Sequence, residues 1–437
     1  MKEKIGVIGL GYVGLPLLAV LADVGFKVIG IDINKNKINQ LKHSFAADIY
    51  EPDLNEHLQR LRDRIEFTTS LKELLPQCST LIVTVGTPLR DKNKPDIGCI
   101  KQLVTDLGEN IIQGQLIIFK STVYPGITRQ VALELEKKSG LKAGLDFHVA
   151  FSPERTVEGR AITELRSLPK IIGGISPEST ERAAAVLGRL GGKVIKVSCP
   201  EVAEMCKLVD NSYRAVNIAF ANEIGFVCEK GGIDAYEVIS AVNDGYQRNH
   251  IFKPSLGAGG PCLSKDPQIL KYYMKKEGGT SNIIGSSIIT NDEANLRIAW
   301  AVSRFVKENK LANPVISLVG LAFKGSPETD DTRESPSLQV YNALRKDLDK
   351  TVFQFYDPLV KEFNGQTVCR DLGECCRGSN VIIFLTNHPT LMDINVNVAL
   401  AVAGRPLLMI DCWHNLANPE RIKMDDVKVF RVGDGTL

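Results

Sequence analysis

The chain has 437 residues, of which 24% are charged, and its formal net charge is +2 at pH 7. This length is enough for two or three domains with substantial cores. The near-neutral charge gives no sign of a nucleic-acid partner, and no apolar run approaches the length that spans a membrane. Ten cysteines without a CxxC spacing fit neither a disulfide scaffold nor a zinc site. We therefore expect a cytoplasmic protein with reduced thiols and no metal.

The first 32 residues predict a dinucleotide-binding βαβ unit. A buried strand, Ile5 to Leu10, runs into GLGYVG and an apolar helix that continues to about Asp23, and a second strand, Lys27 to Ile31, ends at Asp32. The glycines let a pyrophosphate approach the helix amino terminus, and the acid accepts hydrogen bonds from the adenine ribose. The charge of Asp32 would repel the 2′-phosphate of NADP, so NAD is the predicted cofactor. The expected binding residues are Gly9, Gly11, Tyr12, Val13, Gly14 and Asp32.

Three later strands end in small or acidic polar residues. Thr80 to Val85 is followed by GTP, and Gln115 to Lys120 is followed by STVYPG. Ligands bind at the carboxyl ends of parallel strands, although strand-ending turns favour the same residue types. The residues expected to face the cofactor are Gly86, Thr87, Ser121 and Thr122. The strand within FHVAFSPERTVEG, residues 147 to 159, makes Glu154 and Glu158 candidates for the same cleft.

The centre of the chain predicts long helices. Apolar residues recur at helical spacing from Pro200 to about Lys230, and a second helix is predicted from Asn291 to Glu308. Lys207, Asn211 and Arg214 would share one face of the first helix, where they either meet a ligand or are exposed to solvent. Two such helices would connect two α/β halves and offer a surface for subunit contact.

The segment GAGGPCLSKDP, residues 257 to 267, predicts a nucleophilic cysteine. Cys262 follows a glycine-rich turn and is followed closely by Lys265 and Asp266. A neighbouring ammonium favours the thiolate, and a carboxylate can handle protons or water. The glycines would let the backbone approach a ligand closely. The alternative is an ordinary turn around a buried cysteine.

The carboxyl-terminal part, from about Asn313, repeats the strand and helix alternation that predicts an open parallel sheet. Its first strand is VISLVGLAF, a helix follows from Pro336, and later strands are Val352 to Tyr356, Val381 to Leu385, Leu407 to Ile410 and Val427 to Phe430. At the end of the first strand, Phe323 would stack on a base and Lys324 would meet a phosphate. The predicted fold is α/β, with two Rossmann-like doubly wound domains, 1–200 and 311–437, joined by a long-helix central region, 201–310.

Eight motifs, taken in order, resemble those of the nucleotide-sugar 6-dehydrogenases, the UDP-glucose/GDP-mannose dehydrogenase family. They are GLGYVGLP with Asp32, TVGTP, STVYPG, SPER, EMCKLVDNSYR, GAGGPCLSKDP, GLAFKG and DTRESP. The resemblance covers essentially the whole length. It implies an NAD-dependent four-electron oxidation of a UDP-hexose to its uronate, in the synthesis of cell-surface polysaccharide precursors. It also implies a homodimer or higher homo-oligomer in which Arg248 serves the neighbouring subunit's site.

The resemblance also implies roles for individual residues. Cys262 would be the nucleophile, Lys207 and Asn211 would polarise the reacting oxygen, and Asp266 and Glu154 would handle water or protons. Further cofactor contacts would come from Lys37, Thr87, Thr122, Glu158, Lys265 and Arg333. Sugar-nucleotide contacts would come from Arg155, Thr156, Lys207, Asn211, Arg214, Arg248, Lys253, Gly259, Phe323 and Lys324.

The sugar and two other classes of protein stay open at this point. SPER, and YQRN at residues 246 to 249, resemble the N-acetylhexosamine branch, with UDP-N-acetylmannosamine the first expectation and UDP-N-acetylglucosamine the second. Pro261 and Lys265 depart from the mannosamine branch, which carries a histidine in this loop and no such lysine, so UDP-glucose and UDP-N-acetylgalactosamine remain alternatives. A two-electron hydroxyacid dehydrogenase would have no use for Cys262 or a second α/β domain. A non-catalytic sensor of NAD or nucleotide sugar would not need the chemical residues, all of which are present.

Overall fold

The structure is a computed structural model that describes residues 4–90, 93–392, 394–417, 419, 422 and 424–435. The chain divides into two compact units, Met1–Asp210 with Gln268–Thr280 and Asn211–Pro267 with Ser281–Leu437. Two helices, Pro200–Gly231 and Asp266–Lys276, pass from one unit into the other. The expected boundaries at residues 200 and 310 remain a prediction.

The first unit is built on an eight-stranded sheet. Its strands are β1 (Lys4–Ile8), β2 (Lys27–Ile31), β3 (Ile65–Thr68), β4 (Thr80–Val83), β7 (Leu116–Phe119), β8 (His148–Phe151), β9 (Lys170–Gly174) and β10 (Val194–Lys196), and the strands β5 (Leu89–Arg90) and β6 (Lys94–Pro95) form a separate antiparallel pair. The order is β10-β9-β8-β7-β4-β1-β2-β3, and all neighbours are parallel except β8 and β9. The chain reverses its direction of winding between β1 and β4, which is where doubly wound sheets bind their ligands.

Helices cover both faces of this sheet. They are α1 (Gly14–Asp23), α2 (Lys35–Ser44), α3 (Leu54–Arg60), α4 (Leu71–Leu74), α5 (Gly98–Gly108), α6 (Ile127–Ser139), α7 (Ala161–Ser167), α8 (Pro177–Gly188), the first part of α9 (Pro200–Gly231) and most of α12 (Asp266–Lys276). Every residue of β4, β7 and β8 is buried. These strands are continuous apolar runs because two separate hydrophobic clusters pack on the two faces of the sheet.

The second unit contains a five-stranded parallel sheet of order β12-β11-β15-β16-β17. Its strands are β11 (Val315–Val319), β12 (Val352–Tyr356), β15 (Val381–Phe384), β16 (Leu407–Asp411) and β17 (Val427–Arg431), with a small antiparallel pair β13 (Glu362–Phe363) and β14 (Gln366–Thr367). Its helices are the rest of α9, α10 (Ala235–Asn243), α11 (Gly260–Leu263), α13 (Asn282–Glu308), α14 (Pro336–Asp347), α15 (Leu372–Cys375) and α16 (Asn397–Val402). The predicted pair of doubly wound sheets is therefore confirmed, and the second sheet reverses its winding between β11 and β15.

Two predictions about elements need correction. Helix α13 begins at Asn282 rather than at the predicted Asn291. Its first turns, NIIGSSIIT, are rich in glycine, serine and β-branched residues, which are weak helix formers, so local propensity placed the start too late. Strands β3, β9 and β10 were not predicted, because they are short and their pairing with neighbouring strands is not a local signal.

Candidate active site

The loop between β1 and α1 holds the predicted cofactor glycines. Gly9 has a φ of +95°, and a Cβ on Gly14 would lie 1.8 Å from the carbonyl oxygen of Gly9, so the tight turn requires both. A Cβ on Gly11 would meet none of the described atoms within 4 Å. Within the described residues no side-chain oxygen caps the amino terminus of α1, so the positive end of the helix dipole is available to an anion, although Leu15 N already donates to Gly11 O at 3.1 Å. Tyr12 and Val13, which complete the loop, are half-buried.

Asp32 and Lys37 both hold this loop. Asp32 Oδ2 accepts a hydrogen bond from Leu10 N at 2.9 Å, and Asp32 Oδ1 accepts one from Asn34 N at 2.9 Å. Lys37 Nζ donates to Leu10 O at 3.1 Å. Each carboxylate oxygen keeps a lone pair that a ribose hydroxyl can use. Together with the open space beside Gly11, this donor and acceptor set fits NAD.

The loops after β4 and β7 are tied to each other. Thr87 Oγ1 donates to Thr122 O at 2.7 Å. Gly86 is exposed, and a Cβ there would meet none of the described atoms within 4 Å. Ser121 is buried, and its hydroxyl makes no hydrogen bond within the described part of the chain. Gly86 and Thr87 follow β4, which borders the winding reversal, and Ser121 and Thr122 follow β7, the next strand of the sheet; their contact with the cofactor stays a prediction.

Glu154 lies at the end of β8 in a buried ion pair that the sequence did not reveal. Its Oε2 is 3.3 Å from Lys120 Nζ, and its Oε1 accepts hydrogen bonds from Arg155 N at 2.8 Å and Thr156 N at 2.9 Å. Burial raises the pKa of Glu154, but the Lys120 ammonium and the two N–H groups outweigh burial, so the net pKa is below its ordinary value. Glu154 is therefore a carboxylate at neutral pH.

A second buried lysine belongs to the same cluster. Burial and, next, the Lys120 ammonium lower the pKa of Lys170, on β9, to about 8. Lys170 Nζ donates to Leu168 O at 2.6 Å. The sequence feature that could have indicated this cluster is a lysine at one end of each of two otherwise apolar strands. Charged residues are rarely buried without a partner, so each lysine predicts a nearby partner.

The other predicted residues of the SPERTVEG segment are Arg155, which forms an ion pair, and Thr156 and Glu158, which are half-buried. Arg155 Nε donates to Asp210 Oδ2 at 2.7 Å in a partly exposed ion pair. Thr156 and Glu158 are half-buried. The predicted sugar contact of Arg155 and Thr156, and the predicted cofactor contact of Glu158, stay predictions.

The three polar residues of the α9 stripe differ in exposure. Lys207 and Asn211 are buried, whereas Arg214 is exposed. Asn211 Nδ2 donates to Asp266 Oδ2 at 2.6 Å, and Asp266 is fully buried. Lys265 Nζ lies 3.3 Å from Asp266 Oδ1, so both carboxylate oxygens of Asp266 have a donor nearby. Asn211, Asp266 and Lys265 thus form one connected group.

Cys262 lies in the short helix α11 and is exposed. The glycines before it pack against the protein itself. A Cβ would lie 1.9 Å from Asn291 O if placed on Gly257, 2.3 Å from Pro336 Cδ if placed on Gly259, and 2.4 Å from the Phe323 ring if placed on Gly260. Gly260 N also donates to Glu334 O at 2.9 Å. The glycines therefore have a packing reason in addition to the predicted approach of a ligand.

The remaining predicted sugar-nucleotide and cofactor residues of the second unit have partners within that unit. Lys324 Nζ donates to Pro327 O and lies 5.4 Å from the centre of the Phe323 ring, beside the winding reversal of the second sheet. The exposed Arg333 makes several hydrogen bonds to the carboxylate of Asp331, the shortest at 2.6 Å.

Two more predicted residues lie around α10. Lys253 Nζ donates to Tyr236 O and Ser240 Oγ, and burial lowers its pKa. Arg248 is exposed, with its guanidinium 4.7 Å from the centre of the Tyr246 ring. The predicted sugar-nucleotide contacts of Lys253 and Arg248 stay predictions.

The chain has two doubly wound sheets. An open glycine loop with its acidic partner follows the first strand, and the cysteine loop has a buried amide and carboxylate. Together these features define an NAD-dependent dehydrogenase with a second nucleotide-binding fold. The chain belongs to the UDP-glucose/GDP-mannose dehydrogenase family, whose NAD binding domain matches residues 3–190, central domain 201–293 and UDP binding domain 317–418. It is an NAD-dependent UDP-sugar dehydrogenase. No helix in the described residues is long and apolar enough to cross a membrane.

Several known proteins are similar over nearly the whole chain. A UDP-N-acetyl-D-mannosamine dehydrogenase from Pyrococcus horikoshii is 33% identical, with 90% of this chain and 91% of that protein covered. One of the same name from Yersinia pestis is 31% identical, with 88% and 94% covered. The structure of a UDP-D-ManNAc dehydrogenase from Pyrococcus horikoshii superposes with a TM-score of 0.89 at 29% identity, covering all of both chains. A UDP-glucose dehydrogenase from Pyrobaculum islandicum gives 0.85 at 26% identity, covering 99% and 98%.

Proposed function

We propose that the enzyme oxidises the C6 alcohol of a UDP-N-acetylhexosamine to the carboxylate, with UDP-N-acetyl-D-mannosamine the first choice and UDP-N-acetyl-D-glucosamine the second. The names of the Pyrococcus and Yersinia relatives support the first choice. UDP-glucose and UDP-N-acetylgalactosamine are the alternatives, because the Pyrobaculum enzyme shares the fold almost equally well. The fold alone does not select the sugar.

The observation that carries the proposed chemistry is the buried hydrogen bond from Asn211 to Asp266, four residues after Cys262. Two NAD molecules, bound in succession, would each accept one hydride. At the aldehyde stage the Cys262 thiolate would add to the carbonyl carbon, and the resulting thiohemiacetal would lose a hydride from carbon and a proton from its hydroxyl to become a thioester. Water would then release the carboxylate and the free thiol. This covalent route explains why an oxidoreductase has a cysteine beside an amide and a carboxylate.

The other polar groups would stabilise the oxyanion, orient the amide and accept a proton. Lys207 and the Asn211 amide would stabilise the oxyanion of each tetrahedral stage, and the loss of one such donor typically costs about 10²- to 10³-fold in rate. Asp266, held by Asn211 and Lys265, would orient the amide. Glu154, ionised because Lys120 lowers its pKa, would accept a proton from substrate or water.

We also propose that the enzyme is a homodimer or higher homo-oligomer, with Arg248 serving the neighbouring subunit. Five exposed apolar residues of α9 support the oligomer: Val202, Val209, Tyr213, Phe220 and Val227. At 3.6 residues per turn they fall within a stripe about 40° wide along one side of the helix. An apolar stripe of this length is typical of a helix that packs against a partner. Replacing Phe220 with glutamate should reduce the molar mass measured by light scattering towards that of one chain.

The test of the reaction is the number of NADH molecules formed per sugar nucleotide, with limiting UDP-ManNAc, UDP-GlcNAc, UDP-GalNAc or UDP-glucose and mass analysis of the product. Two NADH and a uronate are expected from one of the N-acetylhexosamines. One NADH and an aldehyde would refute the four-electron reaction. Turnover of UDP-glucose alone would replace the proposed sugar.

The Cys262→Ser variant tests the covalent route. It should release little uronate and retain an aldehyde-level species on the enzyme, because the first oxidation does not need the thiol. Cys99→Ser is the matched control, since Cys99 is also exposed but lies in α5, outside the proposed machinery. Full uronate production by Cys262→Ser would remove the cysteine from the mechanism.

A further inference from the structure

Glu204 is a fully buried carboxylate to which the proposed reaction gives no role. It lies on α9, where its Oε2 accepts a hydrogen bond from Gly126 N at 2.6 Å and its Oε1 accepts one from Thr128 N at 2.7 Å. These N–H groups belong to the residue before α6 and to its first turn. A carboxylate is favoured there by the unsatisfied N–H groups and the dipole of the helix. Burial raises the pKa of Glu204 to about 7, and the hydrogen bonds from Thr128 and Gly126 oppose that rise; both bonds are short, so they fix the distance between the two helices.

The two ends of this contact belong to the proposed machinery. Gly126 is the last residue of STVYPG, the loop that contains Ser121 and Thr122 and whose Thr122 O accepts the Thr87 hydroxyl bond. Glu204 lies three residues, just under one turn, before Lys207 on α9. The carboxylate therefore joins the proposed cofactor loop to the helix that carries the proposed oxyanion lysine.

The same loop is held on another side by aromatic packing. The Tyr124 ring lies 5.6 Å from the Tyr272 ring and 6.2 Å from the Tyr273 ring, and Lys276 Nζ is 5.1 Å from the centre of the Tyr124 ring. All three partners are on α12. Rings permit sliding, whereas two hydrogen bonds to one carboxylate set a single position. Glu204 is thus a directional tie between the loop and α9.

We propose that Glu204 is a positioning residue that sets the STVYPG loop, and hence the bound cofactor, against Lys207 for hydride transfer. This inference rests on the cofactor role proposed for the loop and the oxyanion role proposed for Lys207. Glu204→Gln keeps the size of the side chain but leaves one oxygen acceptor for two N–H donors, so one tie is lost. A shift of the order of an ångström in such a geometry costs up to about 10²-fold in rate.

The chain offers a matched control in the Arg129–Glu201 pair. Arg129 Nε donates to Glu201 Oε1 at 2.6 Å, so this pair joins the same two helices, but it is more exposed to solvent. Glu201→Gln removes the ion pair and one of its two hydrogen bonds without touching the loop. Because solvent-exposed ion pairs contribute about 0–1 kcal/mol, this variant should keep wild-type kinetics.

The experiment is steady-state kinetics of wild type, Glu204→Gln, Glu204→Asp and Glu201→Gln with UDP-N-acetyl-D-mannosamine, unlabelled and dideuterated at C6. Glu204→Gln should lose about 10- to 100-fold in kcat with the KM for the sugar nucleotide within about twofold. Its deuterium isotope effect on kcat should rise, because hydride transfer becomes slower than the other steps. Glu204→Asp should lie between wild type and Glu204→Gln.

The isotope effect separates positioning from mere instability. A variant that only unfolds in part has fewer active molecules, but each of them shows the wild-type isotope effect and KM. A wild-type isotope effect in Glu204→Gln, the same kinetics in Glu204→Gln and Glu201→Gln, or failure of both Glu204 variants to fold would each overturn the proposal. Lys207→Met tests the foundation separately, since its full activity would refute the proposed role of the lysine whatever Glu204 does.

Discussion

Replacing Lys120 with methionine should destabilise the first unit strongly and in a pH-dependent way. The Lys120–Glu154 pair is buried, with 3.3 Å between Nζ and Oε2, and the substitution leaves a buried carboxylate that has lost this ion-pair partner and keeps the N–H groups of Arg155 and Thr156. Removal of one partner of a buried pair typically costs about 3–5 kcal/mol, because the other charge stays desolvated. Methionine matches the length of the lysine stem, so the cavity term is small.

The pH dependence follows from the pKa of Glu154. In the wild type this pKa is below its ordinary value, so the carboxylate contributes stability that is present above the unfolded pKa and is lost as pH falls through the folded pKa. Without Lys120, burial dominates and the folded pKa rises above the unfolded value. The variant then loses stability as pH rises through that range, at up to about 1.36 kcal/mol per pH unit. The difference between wild type and variant should therefore be smaller at pH 5 than at pH 7.5.

Lys170→Met is the matched control, because Lys170 is a buried lysine of the same cluster with the opposite energetic sign. Its pKa falls from 10.5 to about 8, so its charge is disfavoured by folding, and stability rises as pH rises through that window. At pH 7 the methionine removes this penalty, which at about 1.36 kcal/mol per pKa unit exceeds the one hydrogen bond to Leu168 O that is lost, so Lys170→Met should not be destabilised. Urea unfolding at pH 5, 6 and 7.5 measures all three proteins. A pH-independent loss in Lys120→Met, or equal losses in both variants, would refute the reasoning.

Two further variants test the glycine loop and the cysteine loop. In initial-rate measurements, Asp32→Ala should raise the KM for NAD by at least about 10-fold and the KM for the UDP-sugar by less than about twofold, because the carboxylate is assigned to the ribose and accepts from Leu10 N. Equal rises in the two KM values would contradict the assignment. Gly260→Ala should lower the thermal unfolding midpoint more than Gly278→Ala. Both glycines have φ near +80°, but a Cβ on Gly260 would clash with the Phe323 ring, which should cost about 1–3 kcal/mol. Equal midpoints would show that the loop relaxes freely.

The βαβ unit at the start of the chain was predictable because its signal is local. Strand, glycines, helix, strand and Asp32 follow one another within 32 residues, and Gly9 and Gly14 have a conformational or packing reason that the spacing already expresses. The extent of α13 was not predictable in the same way, since Gly285 and the β-branched residues around it favour a later start. Tertiary packing decided that boundary.

The partners of site residues were beyond sequence reasoning for a different reason. Lys120 and Glu154 are far apart in the chain and meet only because β7 and β8 are neighbours in register, with Phe119 opposite Phe151. The glycines before Cys262 were interpreted as room for a ligand, whereas the structure places Phe323, Pro336 and Asn291 against them. A sequence gives the residue types of a site, but neighbouring strands and loops decide which groups face one another.

The two buried carboxylates in the proposed chemistry, Asp266 and Glu154, differ in the groups that they bind. Asp266 Oδ2 accepts the Asn211 amide N–H at 2.6 Å and Oδ1 lies 3.3 Å from Lys265 Nζ, so this carboxylate fixes the direction of a side chain. Glu154 accepts its two hydrogen bonds from backbone N–H groups on one oxygen. Its other oxygen lies 3.3 Å from Lys120 Nζ and accepts no hydrogen bond within the described residues, so it keeps lone pairs for a proton while the Lys120 ammonium keeps it ionised. On the proposed reaction, Glu154 is therefore the better base for thioester hydrolysis, and Asp266 is the residue that holds the amide in place.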